Sequence, residues 1–124
     1  MVKLLIVEDL PDVGRAYVRS LRHYEVAEVI LATTPSQAEE YLVRSDSVCL
    51  MCDHWLGPGQ PTGSELIHRW KETFPNLGKA VLVTGSDSAA VRAAHGVDAV
   101  FEKPPDLDAI AAFFGFAKRP RTSG

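Results

Sequence analysis

The chain has 124 residues, 13 Lys+Arg against 16 Asp+Glu, and a formal net charge of −3. That length holds one domain with a full hydrophobic core and leaves little room for a second. Apolar residues make up 46% and charged residues 23%, which excludes a disordered chain, and the mild acidity gives no general pull toward nucleic acid or anionic membrane.

In chain order, short apolar runs alternate with amphipathic segments. Lys3–Val7 reads as a buried strand, and Val13, Tyr17, Leu21 and Tyr24 then recur at helical spacing. Val26–Ala32 is the next apolar run. Thr34-Pro35-Ser36-Gln37 follows as a capping box, opening a helix that carries Ala38 and Leu42. Val48–Cys52 is a third strand. Thr62-Gly63-Ser64-Glu65 offers a second box, leading to Leu66, Trp70 and Phe74 and stopped by Pro75. Ala80–Val83 and Ala99–Phe101 complete the strands, with a short helical segment Ser88–Ala94 between them. Pro105-Asp106 introduces Leu107, Ile110 and Phe114. Continuous apolar strands separated by helices predict an α/β chain, a single doubly wound (βα)₅ domain with a parallel sheet. The domain is expected over residues 1–117, with Lys118–Gly124 as a basic tail or linker.

No run of about 18 apolar residues is present, and Leu4-Leu5-Ile6-Val7 is too short for a signal-peptide core. A cytoplasmic location is expected. The pair Cys49 and Cys52 has CxxC spacing but falls inside a strand. There, residues three apart face opposite sides and stand roughly 10 Å apart, too far for a disulfide, so both are expected as buried free thiols.

Polar residues interrupt the pattern at one kind of place. Glu8 and Asp9 follow the first strand, Asp53 ends the third, Thr84 ends the fourth and Lys103 ends the fifth. In an open parallel sheet all these ends share one edge, where ligands bind. Clustered carboxylates repel unless they are protonated or share a cation, and hard oxygen ligands with room for water suit Mg²⁺. A hydroxyl and an ammonium facing that cation suit the remaining oxygens of a phosphoryl group, and a carboxylate can be its acceptor. The pattern points to Mg²⁺-assisted phosphoryl transfer onto an Asp.

The motifs Leu4-Leu5-Ile6-Val7-Glu8-Asp9, Asp53 followed by Gly63, Val81-Leu82-Val83-Thr84-Gly85 and Phe101-Glu102-Lys103-Pro104 together resemble the receiver domain of two-component response regulators, over about residues 2 to 117. The resemblance implies a flavodoxin-like fold with strand order 2-1-3-4-5. It implies that Asp53 accepts a phosphoryl group from a sensor histidine kinase or a histidine phosphotransfer protein, and passes the signal to a downstream target. Asp9, Asp53 and the backbone carbonyl of Trp55 would bind Mg²⁺, with Glu8 acting through water. Thr84 and Lys103 would hold the phosphoryl oxygens, and the Lys103-Pro104 bond would be cis. Beyond self-phosphorylation and self-dephosphorylation, no enzyme activity is implied, nor any direct nucleic-acid or membrane binding.

The chain departs from that family in four places. The segment from Asp53 to Gly63 is about two residues longer, and rich in Pro and Gly. Val100 stands where a switching aromatic is usual, with Phe101 one residue later. The stretch from Thr84 to Lys103 is short by nearly a helical turn. Trp55 stands two residues after the phosphoacceptor, where an indole leaning over the site would slow water attack on the phosphate. Two other readings stay open: an aspartyl-nucleophile phosphatase, and a degenerate receiver acting only as a protein-interaction module. Trp55 argues against the first, because it cannot serve as the general acid expected there. Against the second stands the presence of Glu8, Asp9, Asp53, Thr84 and Lys103.

Overall fold

Side chains alternate across a strand, so each apolar run must fill two cores at once. The computed structural model, which describes residues 2–85 and 96–120, shows both. Strands β1 (Lys3–Val7), β2 (Glu28–Ala32), β3 (Val48–Asp53), β4 (Leu77–Thr84) and β5 (Ala99–Glu102) form one parallel sheet. Its order is β2-β1-β3-β4-β5, the doubly wound, flavodoxin-like arrangement expected. Helices α2 (Pro35–Arg44) and α3 (Gly63–Thr73) cover one face, packing Leu42, Leu66 and Trp70 on Leu5, Val7, Leu50 and Leu82. Helices α1 (Pro11–Leu21) and α4 (Leu107–Phe114) cover the other, packing Leu21, Ile110 and Phe114 on Leu4, Ile6, Met51 and Val81. The segment Ser88–Ala94, expected as a helix, lies outside the described residues.

Local chemistry sets the helix starts. Thr34 Oγ1 accepts the Gln37 N–H at 3.2 Å, and Gln37 Oε1 reaches back to the N–H of Thr33 at 2.8 Å. Thr62 Oγ1 accepts the Glu65 N–H at 3.3 Å, and Asp106 Oδ1 accepts that of Ala109 at 3.1 Å. Cys49 and Cys52 fall in opposite cores as free, buried thiols, and burial pushes both thiol pKa values up.

The structure moves several expected boundaries. β4 begins at Leu77, three residues before the apolar run, because a register shift against β3 takes up Gly78 and Lys79. β2 begins at Glu28, two residues later than expected. Helix α1 ends at Leu21, so Tyr24 is not helical. Tyr24 is nevertheless buried, forms an antiparallel bridge with Lys118 and donates its hydroxyl to Asp108. The segment from Lys118, read as a tail, is therefore bonded to the domain through its first two residues. The Arg119 N–H donates to the His23 carbonyl at 2.7 Å, and its guanidinium donates to the carbonyls of Arg22 and Val26.

Candidate functional site

The strand ends converge as the parallel topology requires. Glu8 extends β1, with its N–H on the Ala32 carbonyl at 3.1 Å. Asp53 is the last residue of β3, Thr84 the last of β4, and Lys103 directly follows β5. The N–H of Lys103 donates to the Thr84 carbonyl at 2.9 Å, which sets these two residues side by side. Glu8, Asp53 and Thr84 are the buried polar residues of the described chain, at 1%, 6% and 3% exposure. Carboxylate oxygens of Glu8, Asp9 and Asp53 lie within 4.8 Å of one another. The Lys103 ammonium contacts Asp53 Oδ1 at 2.8 Å and lies 3.8 Å from Glu8 Oε1.

This geometry has electrostatic consequences. Burial, reinforced by the Asp53 charge, pushes the Glu8 carboxyl up to about 7, although Lys103 pulls the other way. Burial lowers the pKa of Lys103, but its hydrogen bond to Asp53 and the two carboxylate charges outweigh that, and the net shift is upward. Both Glu8 carboxylate oxygens are buried without a hydrogen-bond partner. A buried carboxylate with unused lone pairs beside two more acids is what a hard divalent cation and its waters would complete, so the donor set fits Mg²⁺.

The approach of α3 is set by Gly63. A Cβ there would lie 2.3 Å from the Asp53 carbonyl oxygen and 2.9 Å from the Cα of His54, closer than real contacts allow. Only glycine lets the helix start against the backbone of Asp53, and the Gly63 N–H donates to the His54 carbonyl at 2.7 Å. The long loop between them is anchored by Leu56, which is buried in the α2–α3 core. Its turn at Gly57, with φ of +112°, brings the loop close to the Asp9 carboxylate. Trp55 is 63% exposed, so most of the indole faces solvent instead of sealing the site. The Lys103–Pro104 bond is cis.

Sequence reasoning missed two neighbours. Tyr17, read as packing, lines an apolar cleft with Leu10, Val13 and Pro104 beside Glu8 and Lys103, and burial with the nearby Glu8 charge raises its pKa. Its helical spacing resembled that of a core residue, so no local signal marked it. Leu10, 54% exposed, rims the same cleft. Of the histidines, His23 and His68 are exposed, His54 is half-buried, and His95 lies outside the described residues. Val100 packs against the α2–α3 core and Phe101 against the opposite one, so the neighbouring aromatic cannot substitute on the same face.

No family model matches the chain, and no curated protein is significantly similar to it in sequence. Solved structures do match, and most are receiver domains of response regulators. A CheY-like receiver domain protein from Methanospirillum hungatei aligns with a TM-score of 0.76 at 23% identity, over 93% of this chain and 91% of its own. A response regulator from Burkholderia pseudomallei, solved with a phosphorylated aspartic acid, calcium and citrate, aligns at 0.76 and 23% identity over 90% of this chain and 65% of its own. A structure described as an adenylate cyclase from Rhodopirellula baltica gives 0.76 at 24% identity, over 91% and 84%. The fold is that of the receiver domains.

Proposed function

We propose that the chain is a response-regulator receiver whose phosphoacceptor is Asp53. The observation that carries this reading is the buried set of Glu8, Asp53 and Thr84 with Asp9 and the Lys103 ammonium beside it, at the strand edge of a receiver fold. The donor is the phosphohistidine of a sensor kinase or phosphotransfer protein. The phosphorus–nitrogen bond breaks, the imidazole leaves with the electron pair, and a bond forms between phosphorus and an Asp53 carboxylate oxygen. Lys103 holds the Asp53 carboxylate before transfer and is placed to pair with a phosphoryl oxygen afterwards. Thr84 offers its hydroxyl to another. Asp9 and Asp53 would hold Mg²⁺ directly with the Trp55 carbonyl, and Glu8 through water; the ion supplies neutralisation of the charge gathered on the acids and the phosphoryl group.

The chain does no further catalysis in this reading, and it works in the cytoplasm, reporting to a downstream partner. Among the described residues no helix is long and apolar enough to cross a membrane. A small phosphodonor such as acetyl phosphate with Mg²⁺ should add one phosphoryl group, and chelation should prevent it. Unchanged labelling of Asp53→Asn, or labelling indifferent to Mg²⁺, contradicts the proposal.

A further inference from the structure

The opposite flank of the sheet carries a second built surface. β2 is an edge strand, so one row of its backbone N–H and C=O groups has no partner strand. It is not blunted by proline or lysine; its residues are Glu28, Val29, Ile30, Leu31 and Ala32. A groove of about 330 Å³ runs along this edge between β2 and α1, lined by Arg15, Arg19, Arg22, Val29 and Leu31. It continues past Arg22 to Arg119, which is fixed there by its bonds to the carbonyls of Arg22 and Val26. Four arginines therefore face one open edge of a chain whose net charge is −3.

The acids nearby pair with only one of them in the row on α1 and its C-cap. Asp12 pairs with Arg15, while Arg19 and Arg22 have no acidic partner among the described residues. Glu28 is turned to the other face, where its Oε1 accepts the Tyr41 hydroxyl at 2.6 Å. Arg15 and Arg19 are one i,i+4 step apart, about 6 Å along the helix, and Arg22 follows three residues later, about 4.5 Å further on. Two residues of an extended strand span about 6.6 Å. A strand added to β2 would thus present alternate side chains at a step close to that between Arg15 and Arg19, and the long arginine side chains take up the shorter step to Arg22, so an acidic series at every second position suits the row.

We propose that the β2 edge binds an extended acidic peptide segment by strand addition, with carboxylates at alternating positions paired to Arg15, Arg19 and Arg22. Backbone bonds to the edge supply most of the affinity and the arginine row supplies register and selectivity. This surface lies on a different flank from the Asp53 site and does not depend on phosphorylation chemistry.

The test is NMR titration of the full ¹⁵N-labelled chain with a capped peptide of alternating Glu and Val. The amides of 28–32 should shift together with those of Arg19 and Arg22. The double variant Arg19→Glu/Arg22→Glu, which leaves the core untouched, should bind at least about tenfold more weakly while keeping the same melting temperature. A peptide of the same composition with its glutamates contiguous should bind more weakly, and one N-methylated along its bonding edge should not bind. Equal binding of the contiguous peptide, or of heparin, would show simple charge attraction and overturn strand addition. Absence of shifts in β2, or self-association of the chain through this edge that the peptide does not displace, would overturn it as well.

Discussion

The acidic edge and the arginine rim hold charge in opposite ways. At the edge, Glu8 and Asp53 are withdrawn from water beside one half-buried ammonium, so a single proton or cation changes the whole arrangement. Along the rim, Arg15 and Arg19 on α1 and Arg22 at its C-cap are exposed, where water and salt screen each of them. Charges packed together in the interior do chemistry and carry a stability cost. Charges spread along a surface cost little and can act only as a set.

Changes at the edge should therefore be large and changes at the rim small. Asp53→Asn should abolish phosphorylation while leaving the fold intact, as checked by intact mass and circular dichroism. Gly63→Ala forces a Cβ against the Asp53 carbonyl, and should cost about 3 kcal/mol and lower Tm by roughly 10 °C. An unchanged Tm there would show that α3 does not hold the Asp53 backbone.

Glu8 gives the pH signature. Its pKa is raised from 4.5 to about 7, so the neutral form is the one the fold prefers. Its contribution is fully present below pH 4.5 and is lost as pH rises through about 7. Without metal, Glu8→Gln should match the parent at low pH and exceed it at pH 8 by on the order of 2 kcal/mol, and Mg²⁺ should narrow the gap by stabilising the parent. A difference in melting temperature that does not vary with pH would rule this out. Trp55, being 63% exposed, shields the site only in part. Trp55→Asn should speed loss of the phosphoryl group by about threefold, less than a sealing indole would give. At the rim, Arg19→Glu alone should move stability by no more than about 0.5 kcal/mol in thermal melts.

Much of the fold and of the acidic edge was legible in the sequence because it is written locally. Apolar runs, the Thr34 and Thr62 caps, and polar residues at four strand ends need only the period of a strand and the edge rule of a parallel sheet. The two cysteines were separable for the same reason. What escaped depends on contacts between distant segments. Tyr24 kept helical spacing after the helix had ended, because Lys118 and Asp108, far along the chain, hold it. Arg119 reads in the sequence as part of a basic tail or linker, and its guanidinium meets two carbonyls of the α1–β2 turn, a contact that composition does not encode. The start of β4 was hidden by Gly78 and Lys79, polar-looking positions that a register shift carries. The inward anchoring of Leu56 and outward turn of Trp55 belong to an extended loop with no periodicity to read.

The central claim is that the buried acid at the end of β3 becomes an acyl phosphate. Borohydride reduces an aspartyl phosphate to homoserine, and peptide mapping by mass spectrometry then locates it. After treatment with acetyl phosphate and Mg²⁺, homoserine should appear at position 53 and nowhere else, and should be absent when the metal is chelated. Homoserine at position 9, 5-hydroxynorvaline at position 8, or a phosphoryl group retained on another side chain with position 53 untouched, would contradict the account.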